Sequence, residues 1–266
     1  FSNITGATST TYTTTGSAAK TYYRALLTSG ACAVYSTVDS VMVNPVPVAG
    51  TISGAGTVCT GTNRDTLTLG GSTGSIQWQS STTNSNFTNI SGATSATYIA
   101  INLTATTYYR AVLTSGVCAA DTSAAVAVTV SPATVAGTVS GGQSVCTGTN
   151  TTTFTLNSYT GSITKWQWSA SRTFGTATDT AVTASTLTVN NLTATRYFRA
   201  VVQSGACAAA NSSIDSVTVS PVSVGGTAAL TTAATVCATS NSSSFTLTGS
   251  TGTIQWQSST DSSSWS

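Results

Sequence analysis

Six cysteines, at positions 32, 59, 118, 146, 207 and 237, are the residues of this chain best able to make or break a bond. No two have the C-x-x-C spacing of metal ligands, and His is absent from all 266 residues. Zinc needs four soft ligands brought together, which this spacing does not offer. Evenly placed single cysteines in a Ser/Thr-rich chain read as disulfides of an oxidising, extracellular compartment. The other reactive groups are sparse. All six acids are Asp, with no two close in sequence, and two Lys and six Arg complete the charged set. Ser and Thr number 99, but no base stands ready to activate a hydroxyl. Catalysis needs an acid, base, nucleophile or metal in one cluster. Neither an enzyme nor a cofactor is expected.

Each cysteine is placed by a repeat. The stretch Thr107-Tyr-Tyr-Arg-Ala-Val-Leu-Thr-Ser-Gly-Val-Cys118 returns as Thr21 to Cys32 and as Arg196 to Cys207. It reads as a strand, a Ser-Gly turn and a cysteine. Pro45, Pro132 and Pro221 mark equivalent junctions 87 and 89 residues apart. After each comes Val-x-Gly (Val48 to Gly50, Val135 to Gly137, Val224 to Gly226), then Val-Cys at Cys59, Cys146 and Cys237. The chain therefore divides into the C-terminal half of a repeat at 1–44, whole repeats at 45–131 and 132–220, and the N-terminal half of another at 221–266. Its two ends fall at nearly the same phase of the repeat, which suggests a window from a longer array.

Within a repeat the hydrophobic period is two, the signature of strands. Leu67 and Leu69 alternate with Thr, as do Phe154 and Leu156, and Phe245 and Leu247. Ile76 and Trp78 share an inward face, with Trp166 and Trp168, then Ile254 and Trp256, assigned to the same two positions. About seven short strands in some 88 residues, with regular turn signals, predict an all-β chain of tandem β-sandwiches arranged as a rod. Thr, Val, Tyr and Ile suit half-buried strands, and the polar surface comes from hydroxyls rather than ions. Units of this size are marginal alone and call for a covalent staple. A net charge of +2, with no basic stripe, argues against nucleic acid. No apolar run is long enough for a membrane span.

The order Cys, inward Trp, Leu-x4-Tyr, strand and Cys resembles the immunoglobulin-like fold. Cys118 lies ten residues after Tyr108, beyond the hairpin, which departs from antibody domains. The Ile-x-Trp-x, Gly-Ala-Thr-Ser-x-Thr-Tyr, Tyr-Tyr-Arg-Ala-Val and Gly-x-Cys phrases resemble the Ig-like repeats of giant cell-surface adhesins of Bacteroidota. That resemblance implies shaft repeats of an extracellular surface protein, exported by the type IX system and used in gliding or attachment. It also implies pairing of Cys59 with Cys118 and of Cys146 with Cys207, leaving Cys32 and Cys237 to bond with half-repeats outside this chain.

Four Asp sites, Asp39-Ser40-Val41, Asp65-Thr66-Leu67, Asp179-Thr180-Ala181 and Asp215-Ser216-Val217, resemble the O-glycosylation signal of the same bacteria. The candidate acceptors are Ser40, Thr66, Thr180 and Ser216. Arg24, Arg110 and Arg199 recur at one strand position. They form either a ligand-contacting ladder or an outward row packed on Tyr108 and its counterparts. Phe1, Phe87 and Trp265 share another position, suited either to stacking on sugars or to packing. The functional expectation is a mechanical spacer touching neighbouring repeats. The alternatives are glycan-binding modules, or a self-assembling filament or surface-layer subunit with lateral contacts between chains.

Overall fold

The structure, a computed structural model, describes residues 1–232, 234–238 and 241–262. All regular elements of the described residues are strands. The chain divides into two compact units, Phe1–Val130 and Ser131–Ser266.

In the first unit, residues 1–44 supply β1 (Thr21–Tyr23), β2 (Leu26–Ser29), β3 (Cys32–Tyr35) and β4 (Asp39–Val41), with β1 paired to β4 and β2 to β3. The whole repeat follows as β5 (Thr51–Ser53), β6 (Thr57–Cys59), β7 (Arg64–Gly70), β8 (Ser75–Ser81), β9 (Thr88–Asn89), β10 (Thr97–Ile101), β11 (Thr107–Thr114), β12 (Asp121–Thr122) and β13 (Val126–Ser131). These strands form two sheets, β10-β7-β5 and β6-β13-β11-β8-β9, with β12 beside the far end of β11. The result is an Ig-like sandwich.

The second unit repeats the plan. It comprises β14 (Thr138–Ser140), β15 (Gln143–Cys146), β16 (Thr151–Asn157), β17 (Ser162–Ser169), β18 (Thr178–Thr180), β19 (Thr186–Asn190), β20 (Arg196–Gln203), β21 (Ala210–Asn211) and β22 (Asp215–Ser220). The sheets are β14-β16-β19 and β15-β22-β20-β17-β18, with β21 beside β20. Strands β23 (Thr227–Leu230) and β24 (Phe245–Thr248) pair in the last stretch.

The period-two pattern becomes the core. Leu67, Leu69, Trp78, Ala100, Tyr109, Ala111, Leu113 and Val128 are buried together in the first sandwich. Phe154, Leu156, Ile163, Trp166, Phe198, Ala200, Val202 and Val217 are buried in the second. Full burial of each large side chain stabilises by roughly 1.5–3 kcal/mol. The indole N–H of Trp78 donates to the Ser95 carbonyl at 2.8 Å, and that of Trp166 to Ala184 at 2.9 Å. Neither ring therefore leaves a polar atom stranded. Trp256, their counterpart, is half exposed, because residues 221–266 carry only the first strands of a repeat.

One expected inward pair is corrected. Trp166 is inward, but its partner is Ile163 and not Trp168. Trp78 pairs with Ala111 and Ile76 with Leu113, while Trp166 pairs with Ala200 and Ile163 with Val202. The register shifts between Ile163 and Lys165, so one extra residue is accommodated in β17. A bulge of this kind reverses the facing of residues counted across it. Trp168 therefore takes the place of Ser80, two residues past the core Trp, where it packs half-buried against the core.

The recurrent Val-x-Gly phrase also has a structural cause. Val48, Val135 and Val224 bridge Thr73, Thr160 and Thr251, and two residues on the chain turns with positive φ at Gly50, Gly137 and Gly226. A Cβ at Gly50 would lie 2.3 Å from the Gly70 carbonyl oxygen, and one at Gly137 2.4 Å from that of Asn157. Glycine is needed for both the conformation and the close approach.

Candidate functional site

The row Arg24, Arg110 and Arg199 is the strongest candidate for a repeated binding site, and its geometry is inward-looking. On the outer face of β11 the Arg110 Nε donates to Gln79 Oε1 at 2.7 Å, and the Gln79 amide donates to Asn89 at 2.8 Å. In the next repeat Arg199 Nε donates to Gln167 Oε1 at 2.8 Å, and the Gln167 amide donates to Asp179 at 2.7 Å. Lys165 completes that row with an ion pair of 2.6 Å to Asp179. The Asp179 carboxyl is held below its usual range by the hydrogen bonds from Lys165 and Gln167.

An aromatic ring covers each guanidinium. Arg110 lies 4.2 Å from the centroid of Phe87, Arg199 4.2 Å from Phe174, and Arg24 4.2 Å from Phe1 and 3.7 Å from Tyr35. The expectation of packing against Tyr108 is corrected to Phe87. Phe174 escaped sequence alignment because its loop is one residue shorter, counted from the core Trp78 and Trp166. Trp265, the third aromatic of the expected set, lies outside the described residues.

Two shallow grooves flank these stacks. One, of about 350 Å³, is lined by Ser80, Thr82, Ser85, Asn86 and neighbours, with no aromatic. The other, of about 430 Å³, has the same position in the next repeat and adds Trp168. Arg196 already sits over the Trp168 ring at 4.7 Å. Sugar recognition relies on free aromatic faces beside polar groups, and here those faces are taken by arginines of the same repeat.

The Asp-(Ser/Thr) pairs act as local backbone clamps. Asp65, Asp121 and Asp215 each accept the N–H of the next residue with one oxygen and a distant backbone N–H, from Gly56, Ala49 and Gly142, with the other. Of the candidate acceptors, Thr66 is exposed, whereas Ser40, Thr180 and Ser216 are half-buried. The Thr180 hydroxyl donates to the Trp166 carbonyl at 3.2 Å.

Sequence reasoning passed over Asn63 and Asn150, which stand four residues after a Val-Cys. Each donates to that Cys carbonyl and to the Leu103 or Leu192 carbonyl, and accepts the same Leu N–H. Asn241 makes the matching bond to Cys237. The spacing Cys-x3-Asn, present three times, was the available signal.

The cysteines depart from the expected pairing. Cys59 and Cys207 are disulfide-bonded, while Cys118 and Cys146 carry free thiols, as do Cys32 and Cys237. The pairs Cys59–Cys118 and Cys146–Cys207 are therefore not formed. The second unit shows why. Cys146 ends β15 opposite Ser220, the last residue of β22. Cys207 follows the opposite end of β20, whose eight residues span about 25 Å. A disulfide requires Cα atoms within about 7 Å. The two cysteines of one repeat stand at its two ends.

No group of three or more His, Cys, Asp or Glu suited to a metal occurs among the described residues. No helix there is long and apolar enough to cross a membrane.

The family model described as Domain of unknown function (DUF8696) matches residues 1–45, 48–132, 135–221 and 224–266. No curated protein matches the chain. Among solved structures, a marsupial T cell receptor is similar at 13% identity and TM-score 0.48, over 67% of this chain and 76% of that one. The chicken CNTN1 FN1-FN3 domains are similar at 10% identity and TM-score 0.30, over 74% and 76%. The mouse coronavirus receptor-binding domain complexed with its murine receptor gives 14% identity and TM-score 0.41, over 60% and 93%.

Proposed function

We propose that this chain, which belongs to the family of the Domain of unknown function (DUF8696) and carries its unit four times in succession, is a non-catalytic shaft segment of an extracellular surface adhesin. Its work is mechanical, holding a distal part away from the cell during attachment or gliding. One observation carries this reading: the groups able to hold a ligand are used up inside each repeat. Arg110 and Arg199 each give the Nε–H to Gln79 or Gln167 and lie against the ring of Phe87 or Phe174. Disulfide-bonded cysteines in an Ig-like sandwich support an oxidising, extracellular setting. The resemblance to Bacteroidota adhesin repeats supplies the finer assignment, including type IX export and O-glycosylation. Thr66, exposed beside the clamped Asp65, is the acceptor that a glycan reaches most readily.

Small-angle X-ray scattering tests the shaft. A compact body of 266 residues has a radius of gyration of about 18 Å. Repeats set end to end, each about 35 Å long from strands of eight residues plus turns, give about 30 Å. A value near 18 Å, or saturable binding of the chain on a glycan array, overturns the reading.

A further inference from the structure

Strand β10 is an edge. Its sheet in the first sandwich runs β10-β7-β5, so the far side of β10 faces no other strand. The register shows which backbone groups that leaves. The Leu69 N–H donates to the Ala96 carbonyl at 2.8 Å, and the Asn102 N–H to the Asn63 carbonyl at 3.0 Å. Hydrogen-bonded pairs alternate along an antiparallel ladder. Tyr98 and Ala100, between those two, therefore also turn their backbone groups to β7. Thr97, Ile99 and Ile101 turn theirs away from the sheet.

The side chains of those three residues lie on the outer face. Tyr98 and Ala100 belong to the core, whereas Ile99 is 41% and Ile101 57% exposed. Among the exposed large apolar side chains of residues 45–220, only these two stand on strands.

The second sandwich has the same edge without them. Strand β19 ends the sheet β14-β16-β19, and Thr188 and Asn190 stand where Ile99 and Ile101 do. Both are tied back to β16. Thr188 shares a 3.0 Å hydrogen bond with Thr153, and the Asn190 Oδ1 accepts from the Thr151 hydroxyl at 2.9 Å. In residues 1–44 the equivalents are Thr13 and Thr15. The sandwich therefore folds without isoleucine at either position. Sheet edges are commonly kept short or guarded by Lys, Pro or a bulge. Of the other edges in the first sandwich, β5 and β6 have three residues and β9 has two. Strand β10 has five, with no charge and no proline.

An open row of backbone donors and acceptors is matched by another extended strand, and this row is complementary to itself. We propose that β10 is a lateral docking strand for a second copy of this chain, pairing antiparallel with its own counterpart about a twofold axis at Ile99. Ile99 then meets Ile99 of the other copy, and Thr97 meets Ile101. Two three-stranded sheets join through about six backbone hydrogen bonds. The isoleucines of both copies share one face as cross-strand neighbours, and the uncharged strand brings no like charges together. An isologous contact of this kind closes at two copies. It needs only the sandwich and holds whether or not the repeats act as a shaft. A strand of five residues covers less than the roughly 1,000 Å² of a stable interface. The pairing is therefore weak between free chains and counts most where chains already lie side by side.

Sedimentation velocity of the full chain tests the contact, from about 10 μM to about 1 mM, with free thiols capped so that no disulfide joins copies. The expected result is a mass that rises reversibly from monomer toward dimer. Ile99→Thr combined with Ile101→Asn gives β10 the residues of β19. It should raise the concentration of half-dimerisation at least about tenfold. Ile99→Pro removes an N–H that β7 does not use and should leave the chain monomeric, with its near-ultraviolet dichroism unchanged. A parent chain that stays monomeric over the whole range overturns the proposal. So does association of equal strength in the parent and the Thr/Asn variant, which would place the contact on another surface. The Thr/Asn variant changes only outward-facing side chains, to residues that β19 already carries, so the test does not depend on the folding of Ile99→Pro.

Discussion

At the scale of residues, charged and aromatic groups serve the repeat that carries them. Arg110 is fixed by a hydrogen bond to Gln79 and by the face of Phe87, two contacts worth together about 1–2 kcal/mol. The period-two pattern made its outward direction legible, but not its partner, which comes from a loop of variable length. Tyr109 shows the same economy on the inside. Burial, with a smaller contribution from Tyr98, pushes its phenol up to about 12. The folded state therefore favours the neutral phenol over an unfolded value of about 10. Its contribution is fully present below pH 10 and is lost as pH rises from about 10 to about 12. Phe198 holds the equivalent place in the second sandwich. Thermal melts between pH 8 and 12 should show an alkaline loss that Tyr109→Phe removes; an unchanged loss in that variant would contradict the assignment.

At the scale of elements, strand type and order were readable because Leu67, Leu69, Tyr109, Ala111 and Leu113 alternate with polar neighbours. Facing failed only at β17, where the extra residue between Ile163 and Lys165 leaves no mark in composition. Cys146 to Trp166 is one residue longer than Cys59 to Trp78, and that difference was the trace of the bulge. The Val-x-Gly corner is the element on which β5 and β14 depend. Replacing Gly50 by Ala forces a positive φ on an L residue and sets its Cβ 2.3 Å from the Gly70 carbonyl. Strain of that kind costs about 1–3 kcal/mol before any clash. Denaturant unfolding should place Gly50→Ala at least that far below the parent chain. Gly71→Ala, with φ of 70° but open space around it, should lose less. Equal losses would show that the close approach at Gly50 is unimportant.

At the scale of the whole molecule, the repeat count and the sandwich were legible from the junction prolines and the recurring phrases. The staple was legible as chemistry but not as topology. The resemblance to adhesin repeats implied pairing of Cys59 with Cys118, yet strand direction puts those residues at opposite ends of one sandwich.

A glycan array probed with the full chain tests this account most directly. The recurrent arginines and the rings beside them are engaged within their own repeats, so no saturable binding is predicted. Saturable binding that is lost in Arg110→Ala and Arg199→Ala would contradict it.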